Sequence, residues 1–506
     1  MAPHTGETVL DALASLTSDD LLLFLTRQRW FAAKGATATD ARIADAVVMP
    51  WGAGAFAMTR MIVQAGGADH SYQVPVAACQ ADDCDIPDGA TIAWFGALTI
   101  FDAMYDPDFR QGLSTALATG LAVSGANGSR WLVEPIGGDR LPADEHLATT
   151  VISAEQSNTS FVIGNRAIVK LFRALVPGLH PDVEVTRFLT ERARFAHIPP
   201  LLATMSFTTG GDRTTSGMAQ EFLPGSTDAW SYALERGRDY WAVPADRPAP
   251  NTFADDAKRL GAITREMHEA LASDDDDPAF APEPVADDDL ARWVQRTQQS
   301  IRGALALLER QLTSPAFPAE RLAEAAALVR RRDHYMGWVS EIDDQLGDDL
   351  GMRIRVHGDY HLGQVLRTRT GAFMIIDFEG EPAMSLEERR EKTSPLRDVA
   401  GMLRSFAYAA ATLAMSADKT IDLHTRELRS ARWERDVRAA YLAGYLGDPA
   451  ERDDHPDVIP EENAHVRQLI ALFETEKAFY ELAYELNNRP AWAWIPMRGI
   501  AKLFTR

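Results

Sequence analysis

Residues 357–364 read HGDYHLGQ, and residues 376–381 read IDFEGE. Both lie within GMRIRVHGDYHLGQVLRTRTGAFMIIDFEG (351–380), which interrupts a half of the chain otherwise rich in helical periodicity. The interruption reads as a strand, a polar loop, a short strand, a turn and an apolar strand ending at Asp377. A strand end fixes the direction of one side chain, and a polar loop beside it presents several more. Such a layout predicts a small β element that delivers polar groups to a single place inside a helical domain.

Around it, LARWVQRTQQSIRGALALLERQL, RLAEAAALVRRRDHYMGWVSEID and the segments after Asp398 carry apolar residues at three- and four-residue spacing. Two connectors break the helical half, VPADRPAPN (243–251) and the acidic SDDDDPAFAPEPVADDD (273–289), the latter expected as a solvated loop. In the first half, LDALASLTSDDLLLFLTRQRWF predicts two short helices, and ARIADAVVMPW, AFAMTRMIVQAG and HSYQVPVAA predict strands. GAGAFA (52–57) formally fits a dinucleotide fingerprint, but a strand-like segment follows it, so it reads as a hairpin turn. FVIGNRAIVK predicts a second hairpin turning at Gly164-Asn165, and PDVEVTRFLTERARF a helix. The expected organisation is α+β in three parts: 1–130, 131–224 and a mostly helical 225–506, with a boundary near ANGS (126–129).

The 506 residues carry 51 Lys+Arg against 73 Asp+Glu, a net charge of −22. That balance argues against nucleic acid or an anionic membrane surface as a partner. No stretch reaches the ~18 apolar residues of a membrane span and no secretory leader opens the chain, so a cytoplasmic location is expected. Cys79 and Cys84 read as incidental thiols.

Asp359 and Gln364 are five residues apart, and Asp377 follows Gln364 by 13. This spacing resembles the catalytic loop and metal-binding strand end of protein kinases, with Asp359 as base and Gln364 and Asp377 as ligands of Mg²⁺. Phosphoryl transfer needs a carboxylate against the attacking hydroxyl and hard oxygen ligands for the metal. Glu379 is a candidate for a second metal or for fixing the strand end. Upstream, Lys170 ends NRAIVK where a phosphate-pairing lysine belongs, and Glu184, 14 residues on, is its expected anchor. EQSNTS (155–160) occupies the phosphate-loop position without glycine, so Ser157, Asn158 and Thr159 are the candidate phosphate contacts. QEFLP (220–224) fits a hinge whose backbone at Glu221 and Leu223 would hold adenine. No P-loop motif is present, so ATP binding is expected from the kinase-like elements.

SAEQSNTS, KLFRALVPGLHPDVEV, HGDYHLGQVL, IDFEGEP, SPLRDVAGMLRSF and EKAFYELAYELNNRPAW resemble bacterial maltokinases, including those fused to trehalose synthase, over nearly the whole chain. The resemblance implies a bilobal kinase-like fold with an N-terminal cap, and ATP- and Mg²⁺-dependent phosphorylation of maltose at its anomeric hydroxyl. It also implies association with trehalose synthase. Ala174 stands where members usually carry a basic residue. In FETEKAFYELAYELNNRP, Lys477, Glu481 and Tyr484 share one helix face with Tyr480 nearby, a polar and aromatic surface suited to sugar. His361, flanking the base, is a candidate for ordering the loop and for touching the acceptor, and Arg397 and Asp398 for bracing the loop. Two alternatives stand beside this reading. One is a kinase of glucosamine or an aminoglycoside on the same fold; the other is an inactive kinase-like module that binds glucan or a partner.

Overall fold

The computed structural model describes residues 6–504 apart from 53–54, 81–85, 97, 126–127, 138–140, 143–146, 153–156, 244–250, 315–316, 347–348, 382–383 and 448–457. Most of the connector 243–251 and part of the expected turn at 126–129 therefore lie outside the described residues. The chain divides into two compact units, Met1–Glu191 with Pro199–Pro224, and Arg192–Ile198 with Gly225–Arg506.

In the first unit, α1 (Gly6–Ser15) and α2 (Ser18–Leu25) precede a sheet of β1 (Ala38–Val48), β2 (Phe56–Ala65), β3 (Ala68–Gln80), β4 (Thr91–Phe95) and β5 (Leu98–Asp102). Its order is β1-β2-β3-β5-β4. β1 and β2 pair antiparallel, and Phe56 and Ala57 of GAGAFA already belong to β2, as the alternation after it predicts; 53–54 lie outside the described residues. Thr17 caps α2 reciprocally with Asp20, satisfying N–H groups that the helix leaves unpaired. Phe24, Trp30, Tyr72 and Val76 belong to one buried core that joins these helices to the sheet.

After α3 (Pro107–Thr119) a second sheet forms from β6 (Leu121–Ser124), β7 (Arg130–Pro135), β8 (Thr149–Ile152), β9 (Asn158–Ile163), β10 (Ala167–Phe172), β12 (Leu201–Thr209) and β13 (Asp212–Glu221). The short β11 (Ala174–Leu175) leaves this sheet and pairs with β3 of the first. α4 (Pro181–Glu191) follows it. The second sheet thus begins at Leu121, ahead of residue 130. Cys79 is disulfide-bonded, against the expectation of a free thiol; Cys84, the other cysteine of the chain, lies outside the described residues.

The second unit is mostly helical: α5 (Ala229–Ala242), α6 (Ala254–Leu271), α7 (Asp287–Gln311), α8 (Leu322–Arg330), α9 (Arg332–Gln345), α10 (Leu396–Ser416), α11 (Leu423–Leu446), α12 (Asn463–Asn488) and α13 (Trp494–Leu503). α12 packs against α7 and α10, and α6 against α11. The β interruption appears as β14 (Thr227–Asp228), β17 (Val365–Arg367) and β18 (Phe373–Ile375) in one sheet, with β15 (Glu283–Pro284) paired to β16 (Met352–Arg353). The acidic run 273–289 is more ordered than a solvated loop. Lys392 Nζ donates to the carbonyls of Pro278 and Ala281 and to Glu283, all within 2.8 Å, and Asp289 is buried against Arg353. Two ion pairs, Lys392–Glu283 and Arg353–Asp289, tie down a segment whose own composition favours water. Among the described residues, no helix is long and apolar enough to cross a membrane.

Candidate active site

The loop 357–364 is built on one face of α10. Asp398, in its first turn, is buried and accepts from His357 N (2.8 Å), Gly358 N (2.9 Å) and His268 Nε2 (3.2 Å). One turn on, a Cβ at Gly401 would stand 2.7 Å from the Tyr360 carbonyl, so only glycine lets the helix come this close. Ser405 Oγ then accepts from Leu362 N at 3.1 Å. Positions 398, 401 and 405 share a helix face, and each meets the loop backbone. Burial works to raise the Asp398 carboxyl, but the hydrogen bond and charge of His268, with His357 and the Gly358 amide, hold it below its usual range. His357 is buried, with Nε2 2.9 Å from the Ile376 carbonyl, and so ties the loop to the strand that delivers Asp377.

Register brings the polar ends together. Val365 pairs with Ile375, and Ile376 N donates to the Gln364 carbonyl at 3.0 Å. Gln364 Nε2 accordingly lies 2.9 Å from Asp377 Oδ2. Asp377 adopts φ +70°, a left-handed backbone that non-glycine residues avoid and that clusters at functional sites. Glu379 is half-buried two residues on.

Asp359 faces a cavity of roughly 1080 Å³ in this unit. His361, Lys477, Tyr480 and Glu481 also line it, together with Glu381, Arg397, Tyr408, Glu476, Arg489 and three tryptophans, Trp230, Trp293 and Trp492. Lys477 Nζ is 2.5 Å from Glu381 Oε1 and 3.5 Å from Asp359 Oδ1. Burial opposes the Lys477 charge, yet Glu381 and Asp359 outweigh it and leave the ammonium well above its ordinary range. Other wall carboxylates carry cations of their own: Glu481 with Arg404 (2.6 Å) and Glu476 with Arg397 (3.0 Å). Burial pushes the Glu481 carboxyl up, with Arg404 opposing. His361 Nδ1 accepts from Gly363 N at 3.0 Å and its Nε2 lies 3.8 Å from Asp359, so it orders the loop while lining the cavity. Burial holds its imidazolium below the usual range, with Asp359 opposing.

Tyr484 does not line the cavity; it is 47 % exposed, with the Arg489 guanidinium over its ring. It shares the face of Lys477 but lies seven residues, about 10 Å, further along the helix axis. Glu381, Arg404 and the tryptophans were missed from sequence. Glu381, Arg404 and Trp492 nonetheless fall inside the stretches IDFEGE, SPLRDVAGMLRSF and EKAFYELAYELNNRPAW.

The expected nucleotide-side residues all lie in the first unit. Lys170 on β10 faces Ser160 on β9 and Met218 on β13, and forms an ion pair with buried Asp182 at 3.1 Å. Asp182 is two residues before Glu184, which is also buried on α4. Ser157 is exposed and Asn158 half-buried at the start of β9; 153–156 lie outside the described residues. Thr159 is buried, and its hydroxyl accepts from Arg173 Nε at 2.8 Å. Glu221 ends β13 exposed, and Leu223 is half-buried.

Residues 24–106 match the family model described as Maltokinase N-terminal cap domain. A glucosamine kinase of Streptacidiphilus jiangxiensis is 26% identical over 354 residues, covering 70% of this chain and 72% of the relative. One of Mycolicibacterium smegmatis is 28% identical over 354 residues, covering 70% and 78%. A solved glucosamine kinase in complex with glucosamine, ADP and inorganic phosphate is similar with a TM-score of 0.67 at 20% identity, over 100% of both chains. A second crystal form gives 0.69 at 20% identity, over 98% of this chain and 99% of that one. The fold is therefore α+β and kinase-like, with an N-terminal cap and a mostly helical second unit. The chain is an enzyme of the phosphotransferase class.

Proposed function

We propose that the chain is an ATP-dependent sugar kinase whose acceptor is maltose, phosphorylated at the anomeric hydroxyl. The observation that carries the choice of acceptor is the placement of Lys477. An ammonium belonging to the protein sits between Glu381 and the expected base Asp359, where a substrate ammonium would otherwise be drawn. With Glu481 and Glu476 also matched by arginines, the wall favours a neutral polyol. The cavity lies just above the ~300–1,000 Å³ typical of ligand sites, and its tryptophans suit sugar faces, which supports an acceptor of two rings.

In the reaction, the anomeric oxygen attacks the γ-phosphorus, the bond from that phosphorus to the ADP oxygen breaks, and Asp359 takes the hydroxyl proton. Gln364 and Asp377 suit Mg²⁺: their side chains are already in contact, and a half-turn of the amide presents Oε1 beside the carboxylate. When bound there, the ion would neutralise charge on the transferring phosphate. Lys170, held by Asp182, with Ser157, Asn158 and the hinge at Glu221 and Leu223, would serve the nucleotide. Sugar 1-phosphate for α-glucan synthesis, and docking of a trehalose synthase, extend the same reading.

The two curated relatives favour a second reading, an amino sugar acceptor. A panel of maltose, glucose, glucosamine and an aminoglycoside with ATP and Mg²⁺ separates them. Turnover is expected to be fastest on maltose. Preference for glucosamine with no turnover of maltose would sink the first reading, and no ATP consumption on any acceptor would restore an inactive module.

A further inference from the structure

Tyr360 directly follows the expected base Asp359 in the loop, and its side chain is fully buried. Its hydroxyl lies 3.0 Å from Thr264 Oγ1 on α6. Thr264 donates its one proton to the Leu260 carbonyl at 2.8 Å, and Tyr441 of α11 donates to the same Thr264 oxygen at 3.2 Å. Tyr360 is therefore the donor in its own bond. The threonine oxygen, with one proton given and two accepted, has no bonding capacity left.

Two glycines make this meeting point. A Cβ at Gly261 would clash with the Tyr441 carbonyl, and one at Gly444 with the Lys258 carbonyl, so only glycine lets α6 and α11 cross this closely. One turn on from Thr264, on the same face of α6, His268 Nδ1 lies 2.9 Å from Tyr445 Oη while Nε2 meets Asp398. The helix pair thus reaches the loop on both sides of Asp359. One path runs through Asp398 to the His357 and Gly358 amides, the other through Thr264 to Tyr360.

We propose that Tyr360 is a positioning residue whose hydroxyl, held by Thr264, sets where the Asp359 carboxylate stands against the acceptor hydroxyl. A base has to stand within about 2.6–3.2 Å of the oxygen whose proton it takes. Misplacement by about 1 Å can cost ~10²-fold in rate. Packing alone does not call for the hydroxyl, since phenylalanine would fill nearly the same volume without bringing a polar group into the core. The inference rests on the kinase reading with Asp359 as base.

Turnover of maltose by the full chain, with KM for maltose and ADP affinity, tests it, and urea unfolding shows that each variant is folded. Tyr360→Phe keeps the ring and leaves no buried donor unpaired. It is expected to lower kcat about tenfold, with KM for maltose and ADP affinity within about twofold. Thr264→Val is expected to lower kcat to the same degree and Thr264→Ser to restore it. Tyr360→Phe combined with Thr264→Val should fall no further than either alone, because one contact carries both effects. A kcat within about twofold of wild type in folded Tyr360→Phe, or losses that multiply in the double variant, overturns the inference. Asp359→Asn measured beside them separates the two readings. If it keeps near-full activity, the base assignment fails and takes the inference with it. If it is inactive while Tyr360→Phe is unimpaired, only the positioning role falls.

Discussion

Asp359 shares the Lys477 ammonium with Glu381, at 3.5 and 2.5 Å. Asp359→Asn keeps the volume and the loop contacts but cannot accept a proton. Turnover is expected to fall on the order of 10²–10⁴-fold, with ADP affinity within about twofold; near-full activity would refute the base. Lys477→Met leaves Glu381 and Asp359 facing each other without a cation. Breaking such a pair costs roughly 3–5 kcal/mol where it is fully buried, and less at this half-buried site. Activity on maltose is expected to drop about 100-fold, while the ratio of glucosamine to maltose turnover rises, because a substrate ammonium can now fill the gap. An unchanged ratio would show that Lys477 does not select the acceptor. Asp359, Gln364 and Asp377 could be proposed from sequence because the roles expected of them rest on spacing along one strand–loop–strand segment. The cations that Glu381 and Glu481 meet come from positions 96 and 77 residues away, and no local pattern announces them.

At the scale of elements, α10 is the support on which the loop depends, through Asp398, Gly401 and Ser405. The folded-state carboxyl of Asp398 is depressed, so its contribution is present above the unfolded value near ~3.9 and is lost as pH falls through the folded value. Asp398→Asn leaves two loop amides and His268 with a weaker partner. It is expected to be about 3 kcal/mol less stable at pH 7, measured by urea unfolding. The gap to wild type should narrow as pH falls below about 4. A gap that stays constant down to pH 2 would mean that the Asp398 charge contributes nothing. SPLRDVAGMLRSF (394–406) showed a helix in sequence. That its glycine marks the closest approach to the loop could not be read there, because a helical glycine has no signature of its partner. The hairpins were legible for the opposite reason: their turn residues and their pairing are local. The acidic run at 273–289 keeps Asp275, Asp276, Asp287 and Asp288 exposed, as its composition predicts, while its tie to Lys392, more than a hundred residues on, has no local signal.

For the whole molecule, the net charge of −22 sets a field that any charged ligand feels and a neutral sugar does not. At 0.1 M salt that field extends about 10 Å and at 1 M about 3 Å. A positively charged acceptor would be concentrated near an acidic surface at low salt and would lose that advantage as salt rises. With maltose as acceptor, KM for the sugar is expected to stay within about twofold between 50 and 500 mM NaCl. Glucosamine, if turned over at all, should show a KM that climbs several-fold over the same range. ATP, an anion repelled by the average field, should not weaken as steeply as it does on basic nucleotide sites, since screening here removes a penalty as well as an attraction. The measurement needs no mutant, and so separates the two acceptors without altering the pocket. A sugar KM that rises several-fold with salt for maltose itself would show that charge on the protein, rather than hydrogen bonding in the cavity, governs how the acceptor is captured.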